Sequence, residues 1–166
     1  MTSSVPPLPP LEQVHTPDSA QITTSIGKQE SGGEEDQYKA RNPTSYGEGN
    51  PALGKYQTLW TTANEVLQRH NREKLRSQES YLNDPRKQEE VMGLLMDEAI
   101  QQASEDTPED VPNRLEQIIR KAAMVHYGGP GNMDLWNDRR PQYGGPSGYE
   151  YTRKVWRDYI TGVRGY

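Results

Sequence analysis

The chain contains 166 residues, a length that fits one domain of ordinary size. Hydrophobic residues make up only 31% of it and the mean hydropathy is −1.07, so part of the chain is excluded from any core. The net charge of −5 excludes a uniformly basic surface for nucleic acid, and the absence of Cys excludes disulfides and thiolate metal sites.

The charges are unevenly placed along the chain. Residues from Val111 onward contain nine Lys or Arg and five Asp or Glu, so this part carries +4 and the preceding part −9. The acidic first part argues against free electrostatic attraction to an anionic cell wall. We therefore expect no nucleic-acid partner and no purely electrostatic attachment to a wall.

Membrane insertion, export and metal binding are not indicated by the sequence. No apolar run has the length of a membrane span. The segment from Met1 to Leu11 lacks the basic start and apolar stretch of a secretory signal. His15, His70 and His126 are too scattered for a histidine metal motif, and we expect neither a metal nor a cofactor.

Residues 1–17 differ in character from the rest and read as an extended, Pro-rich N-terminal tail. The run Pro6-Pro7-Leu8-Pro9-Pro10 favours polyproline geometry and has no periodic apolar face. One interpretation is a disordered leader. The other is a docking strap that uses Leu8 and Leu11 as apolar anchors on a partner surface. Residues 18–166 form the predicted domain.

The first predicted helix opens near Thr16-Pro17-Asp18-Ser19, where Thr16 can cap and Pro17 suits the first turn. Ile22, Ile26 and Glu30 follow at intervals of four, which places the acid on the face that the two Ile residues turn inward. Gly32-Gly33 ends the helix. A carboxyl group at the end of an apolar face is an unusual placement for a charge.

A long loop is predicted from Gly33 to Pro51 because Gly, Asn, Pro and Ser dominate it. Apolar spacing predicts four further helices, at about Tyr56–Leu75, from Pro85 through Ile100, at about Pro112–Tyr127 and at about Tyr149–Val163. No alternating strand pattern of any length is present. The predicted fold is mainly α, with about five helices, a long active-site loop and little or no β structure.

Three segments, in chain order, resemble the superfamily of soluble lytic transglycosylases and goose-type lysozymes. They are Glu30-Ser31-Gly32-Gly33, Ala52-Leu53-Gly54-Lys55-Tyr56-Gln57 and Arg120-Lys121-Ala122-Ala123-Met124-Val125-His126-Tyr127-Gly128-Gly129. Supporting matches are Tyr81-Leu82-Asn83-Asp84-Pro85 with Gln88, and Glu150-Tyr151-Thr152-Arg153. The resemblance runs from about Ala20 to Val163 and is closest to the versions carried by bacteriophages. Lys28 and Gln29 are more polar than the family pattern, and Gly128 replaces its Asn.

The resemblance implies a lysozyme-like transglycosylase domain that cleaves the β-1,4 bond between N-acetylmuramic acid and N-acetylglucosamine in peptidoglycan glycan strands. Glu30 is then the catalytic acid and later the base, and the product is a 1,6-anhydromuramoyl end without hydrolysis. The implied substrate-binding residues are Ser31, Tyr56, Gln57, Tyr127 and Tyr151.

Each of these assignments has a plainer alternative. Glu30 is otherwise a solvated helix-end residue, Ser31 a helix cap, and the three tyrosines ordinary packing residues. A hydrolytic outcome would need a second acid to hold water, and Glu34, Glu35 and Asp36 follow the motif.

Other aromatic residues are assigned from their setting alone. Trp60 and Trp156 are expected to pack in the core, whereas Trp136, in a Gly-rich loop, is expected to stack on sugar. His126 is expected to be a core histidine rather than a base.

The leading hypothesis is a lytic transglycosylase carried in a phage virion, as a tail, baseplate or internal protein that opens the bacterial wall locally. Phage structural proteins would be its partners through residues 1–17. One alternative is a virion structural or assembly protein that keeps the fold without effective catalysis. The other is a free endolysin made for host lysis.

Deleting residues 1–17 tests the strap interpretation. We expect the truncated protein to release wall fragments as well as the full chain, because the tail contributes no motif residue, but to be incorporated poorly into particles. Quantifying both forms in purified particles measures this. Equal incorporation would contradict the strap.

Overall fold

The computed structural model describes residues 17–32, 36–42, 49–142 and 144–164, and within these ranges the protein is mainly helical, as predicted. The chain divides into two compact units. The middle unit comprises the described residues of Ile26–Leu95. The terminal unit comprises the described residues of Met1–Ser25 and Met96–Tyr166.

The described ranges contain six α-helices, which are α1 (Ser19–Ser31), α2 (Trp60–Arg69), α3 (Gln78–Leu82), α4 (Pro85–Asp106), α5 (Arg114–Gly128) and α6 (Gly148–Arg164). Two 3-10 helices accompany them, at Gln37–Lys39 and Pro130–Asn137. All five predicted helices are present. Helix α3 and the 3-10 helix at Pro130–Asn137 were not predicted, because they are too short or too rich in Gly and Pro to show an apolar period.

The cap of helix α1 lies two residues later than expected. Asp18 occupies the capping position, and its Oδ1 accepts a hydrogen bond from the backbone N–H of Gln21 at 3.2 Å. Thr16, the predicted cap, lies outside the described residues. Ile22 and Ile26 are fully buried, so the predicted inward face of the helix is confirmed.

Helix α2 is shorter than predicted at both ends. Tyr56 and Gln57 belong to a turn that precedes it, so the helix begins only at Trp60. At the other end, Asn71 has a left-handed backbone with φ of 55°, a conformation that terminates helices and that Asn adopts more readily than most residues.

Two small antiparallel sheets are present that the sequence pattern did not predict. In the middle unit β1 (Arg41–Asn42), β2 (Ala52–Leu53) and β3 (Thr58–Leu59) pair in that order. In the terminal unit β4 (Pro141–Gln142) pairs with β5 (Gly145–Ser147). Strands of two or three residues are too short for an alternating pattern to be recognised.

The core of the middle unit gathers residues from the sheet and from α2, α3 and α4. Its buried members are Leu53, Ala63, Val66, Leu67, Leu75, Tyr81 and Val91. Trp60 packs against this cluster, with its ring edge-on to Tyr81 at a centroid distance of 6.5 Å. Trp60 is therefore a packing residue, as expected from its helical spacing.

The side chain of Gln88, on α4, is a buried polar link inside the middle unit. Its Oε1 accepts from the backbone N–H of Lys55 at 3.0 Å, and its Nε2 donates to the carbonyls of Tyr38 at 2.8 Å and Tyr81 at 3.0 Å. Three segments far apart in sequence are thus joined by one amide. Because every one of these groups is paired, the polar side chain is stable in the interior.

The terminal unit contains two buried cations on α5. Arg120 is 3% exposed and Lys121 is 6% exposed. The Lys121 ammonium binds Asp106 Oδ2 and Thr107 Oγ1, each at 2.9 Å, and so closes the end of α4. A lysine placed there complements the negative end of the helix dipole.

Replacement of Gly54 by Ala tests the contact between the turn and Gln88. Gly54 has φ of 79°, and an added Cβ would overlap the Gln88 amide, so both backbone strain and loss of hydrogen bonds are expected. We expect the free energy of unfolding to fall by about 3 kcal/mol in urea titration.

Gly49→Ala is the matched control for that substitution. Gly49 has φ of 83° but no atom lies within 4 Å of the position of an added Cβ, so only the backbone term of about 1 kcal/mol applies. Equal losses in the two variants would contradict the role assigned to the Gln88 contact.

Candidate active site

Glu30 lies in the last turn of α1 and is half-buried. Gly27 and Ser31 lie three positions before it and one after it, so the three residues share one side of the helix. Ile26, four positions before Glu30, borders this side of the helix and is fully buried.

The same side of α1 is seated on the backbone of the second motif. The Ser31 hydroxyl donates to the Lys55 carbonyl oxygen at 2.6 Å, and Ser31 itself is buried. A Cβ added to Gly27 would lie 3.0 Å from Lys55 Cε and 3.2 Å from Tyr56 Cε1, which shows how closely the helix approaches that turn. The first two motif segments, 24 residues apart, are therefore in contact.

Ser31 is placed as a link between segments. Its hydroxyl also lies 3.2 Å from the Gly27 carbonyl one turn back, so it bridges α1 and the turn at Lys55. Ser31 therefore holds the last turn of α1, which also carries Glu30, against the turn at Lys55.

Gln57 closes the four-residue turn that joins β2 to β3. It has a left-handed backbone with φ of 50°, and its Nε2 donates to the Gly54 carbonyl at 3.0 Å. The side chain is half-buried and bound to its own turn through nitrogen. Its amide oxygen accepts no hydrogen bond from the described residues.

A carboxylate that the motif comparison did not select lies beside this turn. Glu89, on α4, accepts from the Tyr38 hydroxyl at 2.7 Å and from the Tyr56 hydroxyl at 2.8 Å and 2.9 Å through its two oxygens. Lys55 Nζ lies 3.5 Å from the same carboxylate. We call Tyr38, Lys55, Tyr56 and Glu89 the Glu89 cluster.

The Glu89 cluster holds Tyr38 in the protonated, donating form. Burial, and then the hydrogen bond to Glu89, raises the pKa of Tyr38 to about 12. The side chain of Glu89 is 42% exposed, so its carboxylate lies at the edge of the interior and not within it. The sequence offered only a weak signal for this cluster, since Glu89 is one of two adjacent acids on a polar helix.

The remaining predicted site residues, Tyr127 and Tyr151, lie in the terminal unit and contact each other. Their rings stack with a centroid distance of 4.2 Å and an angle of 9°. The Tyr127 hydroxyl donates to the Pro146 carbonyl at 2.8 Å, with the Gln142 carbonyl at 3.2 Å. Tyr127 is half-buried and Tyr151 is buried, and their roles in substrate binding stay predictions.

The acidic residues after the first motif are only partly described. Glu34 and Glu35 lie outside the described residues. Asp36 is exposed and caps the 3-10 helix at Gln37–Lys39, where its Oδ1 accepts from the backbone N–H of Tyr38 at 3.2 Å. Asp36 thus has a local structural task.

The other aromatic residues occupy distinct settings in the terminal unit. Trp156 stacks on Tyr159 at 5.8 Å, in agreement with a packing role. Trp136 is half-buried and its ring lies 4.7 Å from the Arg120 guanidinium. His126 is half-buried, and is therefore less enclosed than the core histidine that we expected.

Comparison of the chain with protein-family models, with curated proteins and with solved structures found no match. Among the described residues, no helix is long and apolar enough to cross a membrane, and no group of three His, Asp or Glu is arranged to hold a metal ion.

Tyr38→Phe tests the electrostatics of the Glu89 cluster. Because the folded-state pKa of Tyr38 is raised above 10.0, its contribution to stability is fully present below pH 10 and is lost as the pH rises through about 12. We expect the variant to lose less stability than the parent between pH 10 and about 12, measured by urea unfolding across that range. If Tyr38→Phe loses as much stability as the parent between pH 10 and about 12, burial and the hydrogen bond from Tyr38 to Glu89 do not raise the pKa of Tyr38 as described.

Proposed function

We propose that this protein is a peptidoglycan lytic transglycosylase with Glu30 as its acid and base. The observation that supports it best is the contact between the end of α1, which carries Glu30, and the turn that carries Tyr56 and Gln57. The first two family-like segments thus meet within one compact unit, through Ser31 and Gly27 on the helix and Lys55 and Tyr56 in the turn. A chance resemblance in sequence does not require that proximity.

The proposed reaction needs one protein carboxyl group. Glu30 donates its proton to the glycosidic oxygen as the bond between that oxygen and the anomeric carbon of N-acetylmuramic acid breaks. The 6-hydroxyl oxygen of the same sugar forms a new bond to the anomeric carbon, and the hydroxyl proton passes to the Glu30 carboxylate. The products are a free N-acetylglucosamine end and a 1,6-anhydromuramoyl end, and Glu30 is again protonated.

In this scheme Gln57 positions the sugar, and Tyr56 supports the turn that carries Gln57. The Gln57 amide oxygen offers an acceptor for a sugar hydroxyl or N–H, since its nitrogen is bound to Gly54. The Tyr56 hydroxyl is bound to Glu89, so Tyr56 holds the turn in place and presents its ring rather than its hydroxyl.

A hydrolytic outcome is the second candidate, and the Glu89 cluster is the observation that favours it. Glycosidases that use water employ two carboxyl groups, and Glu89 is a second carboxylate that contacts the same turn as α1. Its partial exposure gives water access to it. The masses of the sugar products separate the two reactions, because hydrolysis adds one water to the muramic acid end.

We further propose that the enzyme acts from a phage particle, where it opens the wall locally. Residues 1–17, which are proposed to attach the enzyme to the particle, lie almost entirely outside the described residues. The test of this attachment is the incorporation of the truncated protein into particles. A virion protein without effective catalysis is the alternative, and it predicts no product of either mass.

Glu30→Gln tests the assignment of the acid. The amide is nearly isosteric, so the protein should fold normally, but it has no proton to transfer and the rate of fragment release should fall at least about a hundredfold. Release is measured on purified peptidoglycan by mass analysis of soluble muropeptides, with anhydro ends expected from the parent protein.

Glu65→Gln provides the control, because Glu65 is an exposed acid on α2 of the same unit and its replacement changes the net charge equally. It should release fragments at the parental rate. Undiminished release by Glu30→Gln would move the acid elsewhere.

A further inference from the structure

The terminal unit contains a ladder of alternating aromatic rings and guanidinium groups. The Arg120 guanidinium carbon lies 4.7 Å from the Trp136 ring centroid and 5.2 Å from that of Tyr149. Arg139 lies 4.0 Å from the same Tyr149 centroid, and Arg153 lies 5.7 Å from it. Three arginines therefore surround one tyrosine ring. We call Arg120, Arg139, Tyr149 and Arg153 the Tyr149 cluster.

Arg120 is the buried support of the Tyr149 cluster. Its Nε donates to Thr152 Oγ1 at 3.1 Å, its Nη1 to Glu116 Oε2 at 3.2 Å and its Nη2 to Asn137 Oδ1 at 3.2 Å. Burial lowers the pKa of Arg120, and the nearby charge of Arg153 adds to this effect. The inner guanidinium is thus committed to the fold and fixes the two rings that it contacts.

Arg139 and Arg153 are different, because neither guanidinium group makes a hydrogen bond or an ion pair with any described residue. Arg139 is exposed and Arg153 is half-buried. Both contact the Tyr149 ring, so their guanidinium groups are no more than about 10 Å apart, a separation at which like charges still repel at moderate salt.

Two nearby carboxylates are already engaged. Asp138 binds Arg140 at 2.6 Å, and Glu116 binds Arg120. Glu150 is exposed on the first turn of α6, and its carboxylate makes no hydrogen bond or ion pair with Arg139 or Arg153. Two guanidinium groups therefore keep all of their donors available for an anion from outside.

Arg139 is also held in place. The backbone N–H of Tyr149 donates to the Asp138 carbonyl at 3.0 Å, which fixes the segment before Arg139 against the start of α6. Stacking on the tyrosine ring then orients the guanidinium plane. A donor group ordered before binding loses less conformational entropy when its ligand arrives.

We propose that Arg139, Tyr149 and Arg153 form a binding site for carboxylate groups of the peptide stems of peptidoglycan. This inference rests on the proposed function and deepens it, because it names a part of the substrate other than the glycan strand. A guanidinium binds a carboxylate through two parallel hydrogen bonds, and two guanidinium groups around one ring suit stems that carry several carboxylates.

The test measures binding of catalytically blocked protein to purified cell-wall sacculi. All variants carry Glu30→Gln, so that binding is measured without cleavage. The test protein adds Arg139→Gln and Arg153→Gln. The control adds Lys154→Gln and Arg157→Gln, which remove two exposed charges from α6 without touching the Tyr149 ring.

Three preparations of sacculi identify the ligand: intact sacculi, sacculi with carboxyl groups converted to amides, and sacculi stripped of peptide stems by an amidase. All three are first freed of phosphodiester polymers. We expect the parent and the control to bind intact sacculi about tenfold more tightly than the other two, as one or two charged hydrogen bonds allow. The Arg139→Gln, Arg153→Gln protein should bind all three equally.

Several outcomes would overturn the proposal. An equal loss of binding to intact sacculi in the control and in the test protein would indicate general charge attraction. Parental binding that survives amidation, or that depends on adding back the phosphodiester polymers, would show that peptide carboxylates are not the ligand. Circular dichroism of each variant checks that the fold is kept, as expected for two arginines without structural bonds.

Failure of the proposed function gives a different result. If the parent with Glu30 intact yields no anhydro or hydrolysed product from intact sacculi while the binding preference persists, the enzyme assignment fails and the carboxylate site stands. If product forms and the preference is absent, the carboxylate site alone fails.

Discussion

The buried amide of Gln88 is the constraint on which the middle unit depends. It pairs with backbone groups of Tyr38, Lys55 and Tyr81, which belong to three separate segments. A buried backbone group left without a partner costs about 1–3 kcal/mol, so these segments keep their positions only while the amide lies among them. The same amide occupies the space where a side chain at position 54 would lie, which explains the glycine in that turn.

The candidate site is built outward from this link. Gln88 holds the backbone of the turn, and Glu89, the next residue on α4, holds the ring of Tyr56 through its hydroxyl. Ser31 then attaches the end of α1 to Lys55, so the position of Glu30 follows from contacts that begin at α4. A catalytic carboxyl group needs this kind of support, because proton transfer depends on distances that loosely held groups do not keep.

The terminal unit handles charge in another way. It buries Arg120 and satisfies its donors with Thr152, Glu116 and Asn137, which offsets the loss of hydration. Around the same tyrosine ring it leaves Arg139 and Arg153 open. Three of the nine basic residues in the last third of the chain thus lie around one aromatic side chain.

Local properties of the sequence determined the helices and the place of Glu30 at the end of one of them. The helix predicted at about Pro112–Tyr127 spans Arg114–Gly128, and that predicted at about Tyr149–Val163 spans Gly148–Arg164, because apolar period and glycine stops act over a few residues. The short strands and the partners of Gln88, Glu89 and Arg139 were decided only by the tertiary structure. Tyr38 and Glu89 meet across 51 residues, and no periodicity marks which polar side chain will meet which distant group.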